Sequence, residues 1–145
     1  MPPNEWLGGS FYTITMRKLL ISILLLITAV LLLVILILPS TCLVFFIGIF
    51  LYKKKSILHY YGVFIKDLAY SLDQFGNVLC QELFNVTLIN IKSEHLFGNP
   101  DETISSVLGK NELKHTLTKL GKLIVWILNK IDFNHTKNAI EEDEN

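Results

Sequence analysis

The chain lacks the features that mark most enzymes and most nucleic-acid-binding proteins. Its 13 basic and 13 acidic residues leave no net charge, whereas nucleic-acid-binding proteins usually carry a basic excess. Its two cysteines, Cys42 and Cys80, lie far apart in the sequence and do not indicate a disulfide framework. The sequence has no glycine-rich phosphate loop, Cys-x-x-Cys pair or Gly-x-Ser-x-Gly elbow. These absences predict no nucleic-acid partner, no cofactor, no metal site of recognised spacing and no catalytic residues of a recognised kind.

Charge is also missing from one long run, Leu19 to Tyr52. A helix needs about 20 apolar residues to cross a bilayer core of about 30 Å, and Leu19 to Leu38 supplies that length. In hydrocarbon the backbone must satisfy its own hydrogen bonds, which requires a helix here. The run therefore predicts a membrane anchor whose partner is membrane lipid.

Pro39, Ser40 and Thr41 interrupt this run and predict a helix break. Proline removes a backbone donor and disfavours helix at the residue before it. We therefore expect a transmembrane helical hairpin, or else a single span followed by a short apolar helix. A lipoprotein cleavage site before Cys42 fits poorly because apolar residues continue beyond it. The hairpin is preferred because basic residues flank both ends of the run, and such flanks stay in the cytoplasm.

These features predict an all-α protein with four parts. Residues 1–18 form an N-terminal extension and residues 19–55 the membrane anchor. Residues 56–138 form a small helical domain, and residues 139–145 an acidic tail. The basic residues after the anchor place the domain in the cytoplasm.

Two stretches of the domain repeat apolar residues every three to four positions, as helices do. The first stripe predicts one long helix or two stacked pieces, with the stripe as core: Ile57, Tyr61, Phe64, Leu68, Leu72, Phe75, Leu79 and Leu83. The second stripe predicts the last helix: Leu113, Leu117, Leu120, Ile124, Leu128 and Ile131. We expect the last helix to pack on the first, with docking on the inner leaflet as the alternative. The β-branched segment Asn85 to Ile91 is either a short strand or a helix end.

The densest polar segment, "GNPDETISS", lies between the two stripes. Asp101 and Glu102 follow Pro100, which is typical of a helix start, and we expect that helix to end at Gly109. Capping and turn chemistry explain such residues. The functional alternative is a polar site that also includes residues from the flanking helices: Asp73, Asn77, Asp132 and His135. Carboxylates with one imidazole suit a divalent metal, although no ligand spacing supports one.

Three segments together resemble a group of small phage and prophage proteins: "DQFGNVLC", "GNPDETISSVLGK" and "IDFNHTKNAIEEDE". That group shares an Asp-Gln-x-x-Asn segment, a Gly-x-Pro-Asp-Glu-Thr-x-Ser-Ser-x-x-Gly segment and an Asp-x-x-His-Cys ending, in which Thr136 replaces the cysteine here. The resemblance implies a mobile-element origin in a bacterium and a hydrophobic N-terminal region, but no particular reaction. The matching positions are the candidates for a polar site or network: Asp73, Asn77, Asp101, Glu102, Thr103, Ser105, Gly109, Asp132 and His135.

These observations predict a small bacterial inner-membrane protein whose cytoplasmic domain acts by binding. Its partner is a host protein, a phage protein or a second copy of itself. Two alternatives remain open. One is a membrane-permeabilising lysis factor of the holin kind, which the apolar run suggests. The other is a metal-dependent enzyme that uses the Asp-Glu-Thr loop and His135.

Overall fold

The computed structural model describes residues 5–52 and 54–141, with side chains from residue 15 onward except those of residues 54 and 55. Across these residues the regular structure is entirely helical, which confirms the all-α fold class. The helices are α1 (Glu5–Leu51), α2 (Lys54–Leu79), α3 (Gln81–Thr87), α4 (Ile104–Leu113), α5 (Lys119–Ile131) and α6 (His135–Asn138). The chain divides into two compact units, Met1–Tyr60 and Tyr61–Asn145.

The first unit is dominated by α1, which includes part of the N-terminal extension and runs without interruption through Pro39. The helix break predicted at Pro39, Ser40 and Thr41 is therefore wrong, and the hairpin is not confirmed, because no turn follows Leu38. Proline leaves one carbonyl without its usual backbone donor, but that loss alone does not end a helix in an apolar surrounding. Two residues after Pro39, the Thr41 hydroxyl donates a hydrogen bond to the Ile37 carbonyl at 2.6 Å. Within the described residues, Thr15–Leu51 is long and apolar enough to cross a membrane by length and composition.

The second unit contains most of α2, all of α3 and the remaining helices. Its apolar core lies where the end of α3, the following loop, α4 and α5 meet. The buried members are Leu88, Ile89, Phe97, Val107, Leu108, Leu117 and Val125. The segment from Asn85 is a helix end rather than a strand, because Ile89 makes only one isolated bridge, to Leu117.

The first apolar stripe is not part of this core, so that prediction is wrong. Leu68 is 50% exposed and Phe75 is 62% exposed. Asn77, on the opposite side of α2, is fully buried. Because a helix turns 100° per residue, the stripe and Asn77 point in opposite directions. The helix therefore packs its more polar face inward.

The boundaries of the later helices also differ from the prediction. Helix α4 begins after Thr103, whose hydroxyl accepts from the Ser106 amide at 3.1 Å, and it continues past Gly109. Position 109 requires glycine because the Thr136 carbonyl occupies the space that a Cβ would need. Helix α5 begins only after Thr118, which caps Gly121 in the same way. The second stripe is consequently split, with members on α4, on α5 and in the turn between them.

Candidate functional site

Asn77 fixes the loop that carries most of the predicted polar residues. Its side-chain amide donates to the Asn99 carbonyl at 2.9 Å and to the Glu102 carbonyl at 2.6 Å, and its oxygen accepts from the Gly98 amide at 3.0 Å. The loop has no regular secondary structure to pair its backbone groups, and the buried Asn77 amide supplies three of the hydrogen bonds that they need. Asn77 is therefore a structural anchor for the loop.

Two further asparagines, which sequence reasoning missed, hold neighbouring parts of the same loop. On α3, Asn85 exchanges two hydrogen bonds with the Phe97 backbone, at 3.1 and 2.8 Å. On α4, Asn111 donates to the His95 carbonyl at 2.8 Å and accepts from the Ser93 hydroxyl. No local pattern indicates these partners, because they lie 12 residues from Asn85 and 16 residues from Asn111 along the chain.

A buried ion pair lies beneath the start of α4. The Glu102 carboxylate is 3.0 Å from the Lys110 ammonium, and both side chains are 9% exposed. The Ser106 hydroxyl donates to the same carboxylate at 2.7 Å. Buried charges are tolerated only when they are paired and hydrogen-bonded, and this carboxylate meets both conditions. The sequence does not indicate this role of Lys110, because a lysine among other lysines is expected to be a surface residue.

Glu141 connects this network to α2. Its carboxylate accepts from the Tyr70 hydroxyl at 3.1 Å and from the Thr103 hydroxyl at 3.2 Å, and its backbone amide donates to the Ser106 hydroxyl at 3.0 Å. Desolvation, together with the hydrogen bond to Glu141 and its negative charge, raises the pKa of Tyr70 above its ordinary value. The first part of the expected acidic tail is thus a member of the network, while residues 142–145 lie outside the described residues.

The remaining predicted residues meet at one groove of about 930 Å³ between α2 and the segment from α4 to Glu141. Five of the nine candidate positions line it: Asp73, Thr103, Ser105, Asp132 and His135. Asp73 accepts from the Ser105 amide at 3.3 Å. Asp132 lies 3.2 Å from the His135 ring nitrogen Nδ1. Asn77 and Glu102 are buried, and Asp101 is exposed on the loop.

The polar side chains of this arrangement bind mainly within the domain. Within the described part of the chain, no three His, Cys, Asp or Glu side chains are close enough to hold one metal ion. In the same residues, every buried side-chain nitrogen and oxygen has a hydrogen-bond partner. The buried polar groups among the described residues thus bind one another and the backbone. The arrangement therefore ties α2, α3, α4 and the segment after α6 together.

Thr136 also has a structural role. It is fully buried, and its hydroxyl lies 3.1 Å from a Glu112 carboxylate oxygen and 3.3 Å from the Asn129 side-chain oxygen. Its amide donates to Asn129 at 3.2 Å. This position joins α6 to both α4 and α5.

Comparison with protein-family models, curated proteins and solved structures finds no match to this chain.

Proposed function

We propose that the protein is a membrane-anchored, non-catalytic binding module of phage or prophage origin, held in the bacterial inner membrane by α1. One contrast supports binding over catalysis. Within the described residues, the buried polar side chains are all occupied by hydrogen bonds, while large apolar side chains of α2 and α3 are exposed. Contiguous exposed apolar surface is the usual mark of an interaction site. The phage origin rests on the sequence resemblance alone.

In this proposal α1 crosses the membrane once and the domain lies in the cytoplasm. As one straight helix, Thr15–Leu51 would be about 55 Å long, so it tilts or extends beyond a core of about 30 Å. Lys53, Lys54 and Lys55 follow the apolar run, against only Arg17 and Lys18 before it. The more basic end stays in the cytoplasm, which favours an exported N-terminus.

Reporter fusions test this topology. A periplasm-active and a cytoplasm-active reporter are fused in turn to Met1 and to Asn145 of the full chain. A single span places the two ends on opposite sides, with Asn145 inside. A hairpin places both ends inside, which would contradict the single span but keep the cytoplasmic domain. An exported Asn145 would contradict the cytoplasmic domain.

Site-specific photo-crosslinking tests the binding role itself. A photoreactive amino acid replaces Leu72 on the exposed stripe of the full chain, expressed in bacterial cells. The matched control carries it at Lys92, an exposed position in the loop after α3. A protein adduct at position 72 but not at 92 supports a binding module. No adduct at position 72, or equal adducts at both positions, would contradict the proposal.

A further inference from the structure

A second cavity lies within the domain, between the end of α4, the turn that follows it, α5 and α6. Its volume is about 530 Å³, which falls in the usual range for small-molecule sites of about 300–1,000 Å³. Helix α5 lines it with Lys122, Val125, Trp126 and Asn129. Residues at this spacing share one face of a helix. The cavity, here called the α5 cavity, is therefore built on a rigid element.

The apolar part of the α5 cavity is continuous with the core of the domain. Leu117 and Val125 both line the cavity and belong to the core, with exposures of 8% and 4%. Trp126 also lines the cavity, and its ring is 59% exposed. Apolar and aromatic side chains form most of the wall of a typical ligand site. This part of the cavity can accept a short hydrocarbon or aromatic group.

The basic part of the α5 cavity comes from two lysines on different helices. Lys122 of α5 and Lys137 of α6 both line it. Within the described residues, neither side chain makes an ion pair or a hydrogen bond. A third ammonium group, that of Lys130, lies 5.9 Å from the centroid of the Trp126 ring. Basic groups in a cleft with low-dielectric walls concentrate positive potential there, and this attracts an anion.

The acidic side chain that lines the cavity already has a partner. Glu112 is the only carboxylate among the described lining residues, and it accepts from the Thr136 hydroxyl at 3.1 Å. Two lysines against one carboxylate leave the lining with a positive balance. The α5 cavity therefore suits an anion better than a metal ion or an amine.

His115 adds an unusual backbone position to the same cavity. It lines the cavity and follows the end of α4 with a left-handed φ of 57°. Glycine is the usual residue at such a position after a helix, and other residues held in this region are concentrated at functional sites. The chain thus keeps a ring nitrogen that can donate a hydrogen bond where glycine would be the simpler choice.

We propose that the α5 cavity binds a small organic anion. A phosphate or carboxylate group is bound by Lys122, Lys137 and His115, and a short apolar body lies against Trp126. Lysine is a common ligand of phosphate groups, and the apolar wall selects an anion that carries such a body. This site goes beyond the proposed protein-binding role and does not depend on it, since it lies on α4, α5 and α6.

Tryptophan fluorescence tests binding directly. The full chain with Trp6→Phe, in phosphatidylcholine nanodiscs, retains Trp126 as its only tryptophan. Titration with hexyl phosphate should give a saturable change in its emission. Inorganic phosphate should bind at least about fivefold more weakly, because it lacks the apolar body, and hexylammonium should give no saturable change. The absence of binding by hexyl phosphate, or equal binding of either comparison compound, would overturn the proposal.

Paired lysine variants test the head-group contacts. Lys122→Gln combined with Lys137→Gln should raise the Kd for hexyl phosphate about tenfold. The matched control, Lys92→Gln combined with Lys119→Gln, removes the same charge from exposed lysines that do not line the cavity, and should change the Kd by less than about twofold. All four side chains are exposed, so both variants should keep the thermal unfolding midpoint. Equal losses of affinity in two folded variants would overturn the proposal.

His115→Gly separates a ligand role from a structural role. Relief of the left-handed conformation should raise the unfolding midpoint, while loss of the imidazole should raise the Kd for hexyl phosphate several-fold. A residue with only a structural role would not give these opposite changes. An unchanged Kd would overturn the assignment of His115 to the site.

Nanodiscs that contain phosphatidylglycerol distinguish the two sources of such an anion. If a lipid head group is the ligand, Trp126 emission should be shifted before any addition, and hexyl phosphate should bind several-fold more weakly. The Lys122→Gln, Lys137→Gln variant should not show this lipid-dependent shift. If a soluble anion is the ligand, the titration should be the same in both kinds of nanodisc. A lipid-dependent shift that persists in this variant would overturn the cavity as its cause.

Discussion

Glu102 and Lys110 form an ion pair of 3.0 Å beneath the start of α4, with both side chains almost entirely buried. Removing one member of such a pair leaves an uncompensated charge, which costs about 3–5 kcal/mol. Glu102→Gln should therefore strongly destabilise the domain, measured by near-UV circular dichroism during denaturant unfolding of the full chain. The control is Lys114→Met, at an exposed lysine at the C-terminal end of α4. This substitution should change the free energy of unfolding by less than about 0.5 kcal/mol. Equal effects would show that the pair is not a determinant of stability.

Removing the Asn77 side chain should release the loop that it holds. Asn77→Ala leaves the Gly98 amide and the carbonyls of Asn99 and Glu102 without this partner. The bond to Glu102 is buried, and a buried group left unsatisfied costs about 1–3 kcal/mol. Hydrogen exchange of the Gly98 amide should speed up markedly. In the control, Asn90→Ala at an exposed position, Gly98 protection should stay unchanged. Unaltered Gly98 exchange in Asn77→Ala would contradict the anchoring role.

Two glycines on helices should respond in opposite directions to alanine. At Gly109 a Cβ would meet the Thr136 carbonyl, so Gly109→Ala should destabilise by about 1–3 kcal/mol through overpacking. At Gly62 nothing lies within 4 Å of the added atom, so Gly62→Ala should stabilise by about 0.5–1 kcal/mol. Thermal unfolding midpoints of the two variants give the comparison. A tolerated alanine at position 109 would mean that α4 and α6 do not approach at this point.

His115 adopts the left-handed region with φ of 57°, a conformation that is unfavourable for most side chains. His115→Gly should stabilise the domain by up to about 1 kcal/mol. Asn134 has a similar φ of 58°, but the short polar side chain of asparagine can hydrogen-bond locally in this region. Asn134→Gly should therefore raise the free energy of unfolding by less than His115→Gly does, as measured by equilibrium denaturation. The reverse order would contradict the strain assigned to His115.

The Tyr70 hydroxyl should ionise at higher pH than a free tyrosine. Its raised pKa, caused by desolvation and by Glu141, favours the neutral phenol in the folded state. The resulting stability is fully present below the unfolded pKa of about 10 and is lost as pH rises through the folded pKa. Ultraviolet titration of the full chain minus that of Tyr70→Phe isolates this group. Glu141→Gln should bring the transition back toward the ordinary value, and no change would exclude Glu141 as a cause.

The existence of the long helices follows from the sequence, but their ends do not. The three-to-four-residue period predicts helix over most of α2, and α2 has it. The short α4 was expected to stop at Gly109, because glycine is a frequent helix terminator. The structure continues it to Leu113, since Gly109 accommodates a close backbone contact instead. That contact joins residues 27 positions apart in the sequence, and no local pattern indicates it.

The polar cluster was identified from the sequence, but its organisation was not. Asp73, Ser105 and His135 lie on different elements and reach the same groove. Glu102 is instead buried against Lys110, a partner that the sequence does not suggest. Hydrogen-bond partners depend on distances of about 3 Å between chain segments, and sequence spacing does not determine such distances.

The sequence by itself determined that this protein has a long apolar helix and an amphipathic helix after it, because both follow from the local period and composition of side chains. Only the tertiary structure decided which face of α2 is covered. Periodicity shows that Leu68 and Leu72 share a face, but not whether the domain lies on that face. The buried hydrogen bonds of Asn77 with the loop turn the other face inward. They leave the apolar stripe exposed.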